Sequence, residues 1–310
     1  MMKPRGRAEK HTVQLLQEMD DYHDAHDLQH ALLIADELLR RKPLHRPAME
    51  RVTSLYIDLG DAGKAAQALA FLLENFPLSG YFLFFMARIE YMEKDYSSAI
   101  EHAKDALQRR DTESWQDALL HNILGRMYRE LGEAERASAE YLLASSCPDN
   151  PGMLDDYSNY LFSLHYHEMD REKLFREIQC YNTAFSQLVP FQHERRMRHK
   201  KLRIGYISPD LRFHVVAFFS YAFFKSYDKA QFEVYCYAKC KEDDASREFA
   251  AAVDGWRNIL CLEPETAARQ IYADGIDILV DLSGHTANNC LPILAYKPAP
   301  VQISGIGWFN

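Results

Sequence analysis

At 310 residues, with 47% hydrophobic and 26% charged positions, the chain has a globular composition and room for two domains and a substantial core. A net charge of −9 argues against nucleic acid or an acidic membrane as the main partner. No apolar run approaches the roughly 18–20 residues that cross a bilayer, so no membrane partner is expected.

Residues 1–11 carry basic side chains with no apolar stretch behind them; they lack the pattern of a secretory signal and read as an N-terminal tail. From residue 12 a period emerges. Gly60-Asp61-Ala62 aligns with Lys94-Asp95-Tyr96 and Gly132-Glu133-Ala134, and the small residue opening each second helix is Ala31, Ala65, Ala99 and Ala137. The first three units step by 34 residues, and a four-residue insertion near "DTES" delays the fourth. Pro43, Pro77 and Pro148 close units, because a residue without an N–H cannot continue a helix.

This pattern resembles the tetratricopeptide repeat, with "LGRMYRELGEAERASAEYLLA" (124–144) as its best copy. About four units over residues 12–151 exceed the roughly three that a stable stack needs. Small residues at the crossings let antiparallel helices approach, and each pair buries its apolar side against its neighbours. The functional expectation is a concave surface holding a protein or peptide partner. The aromatic stretch "YFLFFMARIEYM" (81–92) reads as core at helical spacing.

Residues 152–200 form a transition zone. Positions 153–185 read as helix, break, helix, the second part capping the exposed end of the solenoid. The run 193–203 carries Arg195, Arg196, Arg198, Lys200, Lys201 and Arg203, a solvated basic linker.

From residue 201 the period changes. Strands are expected at "LRIGYIS" (202–208), "FEVYCYA" (232–238), "WRNILCL" (256–262), "IDILVDL" (276–282) and "PVQISGI" (300–306). Helices are expected over 215–227, 245–253 and 264–275, with a further one from about Asn288. Alternating βα units of this length predict a parallel sheet covered on both faces, with ligands beyond the carboxyl ends of the strands. Two loops at that edge carry an imidazole and a hydroxyl: "SPDLRFH" (208–214) and "SGHTANN" (283–289). In the first, Asp210 pairs with Arg212 to fix the loop, and His214 opens a helix whose dipole favours a neutral imidazole or a bound anion. No phosphate-binding glycine loop, GxSxG or HExxH occurs. The six cysteines are scattered, without CxxC spacing, which suits free thiols in a reducing cytoplasm and offers no metal site.

In order and spacing, "LRIGYISPDLRFHVVAFF", "FEVYCYA", "DILVDLSGHTANN" and "KPAPVQISGIGW" resemble the N-terminal catalytic lobe of the O-GlcNAc transferase family, and "YSNYLFSLHYH" (157–167) resembles its joining helices in bacterial and plant members. The resemblance covers residues 12–310. It implies an α-solenoid of tetratricopeptide repeats followed by a Rossmann-like parallel α/β lobe, the N-terminal half of a GT-B fold at 201–310. It implies an inverting, metal-independent transfer from UDP-GlcNAc or a related UDP-sugar to Ser/Thr of proteins docked on the repeats, with no cofactor. His214 matches a histidine at the active-site mouth. Gly284, His285 and Thr286 match the loop facing sugar and acceptor, and Asp281 an acidic position of many members; Asp210 is grouped with them as substrate-binding. The family continues past "GYxxTTG" into a second lobe that supplies most nucleotide contacts. This sequence ends at "GIGWFN", so the expectation is a catalytically incomplete chain lacking the donor lobe. The alternative reading is a non-catalytic repeat adaptor.

Overall fold

The computed structural model describes residues 4–24, 27–168, 170–193 and 199–308, with side chains of 11–23 in the first stretch. It divides into two compact units, 1–153 and 154–310.

Among the described residues, the first unit holds eight helices: α1 (Pro4–Asp24), α2 (Leu28–Arg41), α3 (Arg46–Asp58), α4 (Ala62–Asn75), α5 (Gly80–Glu93), α6 (Tyr96–Arg109), α7 (Ser114–Glu130) and α8 (Ala134–Ser146). Residues 4–11, expected in a tail, are helical within α1. The repeat is written in its caps. Asp27, Asp61 and Asp95, 34 residues apart, each accept a backbone N–H three residues on and so start α2, α4 and α6. The small residues expected at the crossings are fully buried: Ala31, Ala65, Ala99 and Ala137. The aromatic stripe is core, with Phe82, Phe84 and Phe85 buried.

The second unit opens with α9 (Met153–Leu164), α10 (Arg171–Tyr181) and a 3-10 turn (Asn182–Phe185). Residues 154–185 fall in the unit that contains the sheet. Arg195, Arg196 and Arg198 of the basic run lie outside the described residues. Arg203 is inside the sheet, its Nε 2.7 Å from Glu233 Oε2.

Among the described residues, five strands follow: β1 (Leu202–Ser208), β2 (Phe232–Ala238), β3 (Gly255–Asn258), β4 (Ile278–Asp281) and β5 (Val301–Ser304), all parallel, in the order β3-β2-β1-β4-β5. Between them run α11 (Val215–Lys225), α12 (Asp244–Ala252), α13 (Pro264–Ala273) and the short α14 (Leu291–Leu294). Alternating strand residues feed two cores. Ile207, Tyr237 and Leu279 pack with Ala267, Ala268 and Ile271 of α13. Cys236 and Ala238 pack with Val216, Ala217 and Phe224 of α11 and Phe249 of α12. The expected third strand is shorter, ending at Asn258, whose side-chain oxygen accepts from Leu260 N–H and turns the chain. The helix expected from Asn288 starts at Leu291, because Asn288 sits at φ 58° and Pro292 suits only a first turn. Among the described residues, no helix is long and apolar enough to cross a membrane.

Candidate active site

β1 and β4 are parallel neighbours, with Ile207 paired to Asp281, so the loops that follow them leave the same carboxyl edge. Both predicted histidine loops therefore start where an open α/β sheet presents its chemistry.

The β1 loop is built on buried Ser208, whose Oγ accepts from Asp210 N–H at 3.0 Å. Asp210 is itself nearly buried; burial pushes its carboxyl above the usual range, against the pull of His214 and Arg212. His214 is the N-cap of α11: its Nδ1 accepts from Val216 N–H at 3.3 Å and lies 3.7 Å from Asp210 Oδ1. A capping Nδ1 carries no proton, so the neutral ring holds its proton on Nε2. Phe213 N–H donates to Asp243 Oδ2 at 2.7 Å, tying this loop to the cap of α12. That bond and the one from Ser246 N–H hold the Asp243 carboxyl below its ordinary value.

The β4 loop turns around Asp281. Its buried carboxylate accepts from Ser283 N–H and Oγ–H, from Gly284 N–H at 2.7 Å and from Ser304 Oγ–H at 2.8 Å. Expected as a substrate contact, Asp281 is fully buried, and its oxygens accept from Ser283 and Gly284 of the loop and from Ser304 of β5. Gly284 stands at φ 58°, a left-handed conformation that glycine adopts without a Cβ penalty. Beyond β5, Gly307 passes so close that a Cβ there would lie 2.4 Å from Ser283 O. Its neighbour Trp308 bridges to Gly284 and accepts from His285 N–H at 3.0 Å. Thr286 Oγ1–H donates to Ser283 O at 3.1 Å, closing the turn.

The ring of His285 faces α9. Its Nδ1 lies 3.0 Å from Ser158 Oγ, and the rings of Tyr181 and Trp308 meet it edge-on at 4.8 and 5.3 Å. Burial lowers this imidazole to about 4, so it is neutral at physiological pH. The two expected histidines thus share an edge and differ in setting: His214 is a partly exposed cap, His285 a packed ring.

Sequence reasoning missed four contributors. Lys239, just past β2, places Nζ 3.0 Å from Asn289 O and brings a cation to the β4 loop. Ser158, Tyr181 and Trp308 enclose His285. Ser158 carried a signal: it stands three residues before Leu161 on the buried stripe of α9, where a polar residue calls for a partner.

Residues 178–310 match glycosyl transferase family 41. Over 161 residues the chain is 32% identical to the tomato (Solanum lycopersicum) "Probable UDP-N-acetylglucosamine--peptide N-acetylglucosaminyltransferase SPINDLY", covering 49% of this chain and 17% of that one. The Arabidopsis thaliana protein of that name is 34% identical over 161 residues, covering 49% and 18%. These matches span less than a fifth of the relatives' length. The fold is that of a mutant Thermobaculum terrenum O-GlcNAc transferase, superposed over 100% of this chain and 52% of that one with a TM-score of 0.63 and 23% identity. Residues 178–310, with the parallel sheet and both histidine loops, thus match glycosyl transferase family 41, and the chain is similar to proteins that carry the names of O-GlcNAc transferases.

Proposed function

We propose that this chain contributes the repeat solenoid and the acceptor-side lobe of a UDP-sugar-dependent protein O-glycosyltransferase. The observation that carries the reading is that β1 and β4, adjacent and parallel within the family-matched segment, release the His214 and His285 loops at one edge. The reaction is an inverting transfer: an acceptor hydroxyl of Ser or Thr, relieved of its proton, attacks the anomeric carbon as the nucleoside diphosphate leaves.

His214 is the group proposed to take that proton. To do so through Nε2 it must carry its own proton on Nδ1, giving up the cap to Val216 and turning that N–H to Asp210, 3.7 Å away. Lys239 adds positive charge at the same edge, suited to the departing diphosphate. Thr286 and the Gly284 backbone shape the wall beside the sugar. The solenoid holds the acceptor protein. The six cysteines, all free, fit a cytoplasmic setting.

The test is transfer of labelled N-acetylglucosamine from UDP-GlcNAc to co-purified proteins by the full gene product, compared with its His214→Asn form. Loss of transfer with binding retained supports the reading. Undiminished transfer removes His214 from the chemistry, and no transfer by the unaltered product favours an adaptor.

A further inference from the structure

His285 is packed, hydrogen-bonded on one side and unpartnered on the other, and the direction of those hydrogen bonds can be traced from a fixed starting point. Leu291 N–H points at Asn289 Oδ1 at 3.1 Å, and a backbone N–H can only donate. That orients the amide: Asn289 Nδ2 faces Ser158 Oγ, at a long 3.5 Å. Ser158 is 2% exposed, and its hydroxyl makes no hydrogen bond to the i−4 carbonyl of α9 among the described residues. The Tyr181 phenol approaches Ser158 without completing a hydrogen bond of good geometry. Among the described residues, the acceptor that meets the Ser158 hydroxyl at hydrogen-bonding geometry is therefore His285 Nδ1, 3.0 Å away.

We infer that Ser158, oriented by Asn289, is a positioning residue that holds His285 as the Nε2–H tautomer, presenting a fixed N–H donor to an oxygen acceptor at the carboxyl edge. Nε2 makes no hydrogen bond among the described residues and is not among the sealed polar atoms, so it reaches solvent. The rings of Tyr181 and Trp308 and the hydroxyl of Ser158 meet the imidazole. With Nδ1 occupied and burial opposing protonation, His285 is suited to orienting a substrate oxygen and unsuited to removing a proton. Its use on a substrate rests on the glycosyl-transfer reading; the tautomer itself does not.

The experiment is a long-range proton–nitrogen spectrum of the 310-residue chain labelled with 15N-histidine at pH 7, with His285→Gln to identify the ring. The expected pattern is an unprotonated Nδ1 and a protonated Nε2. Ser158→Ala should convert it to a mixture of tautomers, and Ser158→Thr should restore it. Asn289→Ala, which leaves α9 untouched, should produce partial mixing. A protonated Nδ1 in the unaltered chain, or an unchanged pattern in both alanine variants, overturns the assignment. None of these readouts depends on turnover, so they stand or fall apart from the transfer assay.

Discussion

Ser304 at the end of β5 donates its hydroxyl to Asp281 at the end of β4, 2.8 Å away, and so joins the two strand ends through a side chain as well as through the sheet. Three other donors share that carboxylate, and all lie within Ser283 and Gly284.

Removing Asp281 should therefore be felt as lost folding stability. Asp281→Ala leaves buried donors without an acceptor and is expected to cost about 3 kcal/mol. Asp281→Asn, which keeps the shape but accepts fewer bonds, should cost about half as much. Urea unfolding of the two variants measures the difference; equal midpoints with the unaltered chain would show that the loop is held by other contacts.

The packed imidazole gives a pH signature with a definite sign. The folded state keeps His285 neutral down to about pH 4, whereas the unfolded chain protonates it near 6.5. Between those values the unfolded state binds more protons, so stability from this group is complete above pH 6.5 and is lost as pH falls toward 4. The full loss is roughly 3 kcal/mol. Urea midpoints at pH 7 and pH 5 should diverge less in His285→Gln than in the unaltered chain.

Two substitutions separate the cap from the chemistry at His214. Asparagine is a strong N-cap and no base; alanine is neither. His214→Ala should lose about 1 kcal/mol of stability, and His214→Asn should recover most of it. Both should lower transfer by the full gene product by about 10²–10⁴-fold. Thermal melts and the transfer assay, run on the same samples, give the two answers.

In the solenoid, Gly125 on α7 lies against Tyr141 on α8, and a Cβ would sit 2.8 Å from the tyrosine ring. Gly125→Ala removes a flexible residue from a helix interior, which by propensity alone should stabilise. Overpacking against a buried ring should win, for a net loss of about 1–2 kcal/mol. A raised melting temperature would show that the ring can give way.

How much of this was legible beforehand differs by element, for physical reasons. β1 and β2 run over the residues expected, because apolar runs bounded by Pro209 and by polar turns have little other use. The first three repeats were legible because Ala31, Ala65 and Ala99 recur 34 residues apart and Asp61 and Asp95 align at the turns. The roles inside the site were less so. An aspartate at a strand end looks the same in sequence whether it greets a ligand or ties its own loop, and only burial with four donors separates the cases for Asp281. Ser158 and His285 are 127 residues apart, and no local periodicity links a helix hydroxyl to a distant ring.

The β4 loop takes its shape from a carboxylate beneath it, from Gly307 and Trp308 alongside and from a serine on α9. Grafting residues 283–290 alone into a related scaffold would import the letters without the mould. A chimera that keeps the loop's geometry has to exchange segments 154–164 and 301–308 along with it, so natural variation in these three stretches should travel as one block.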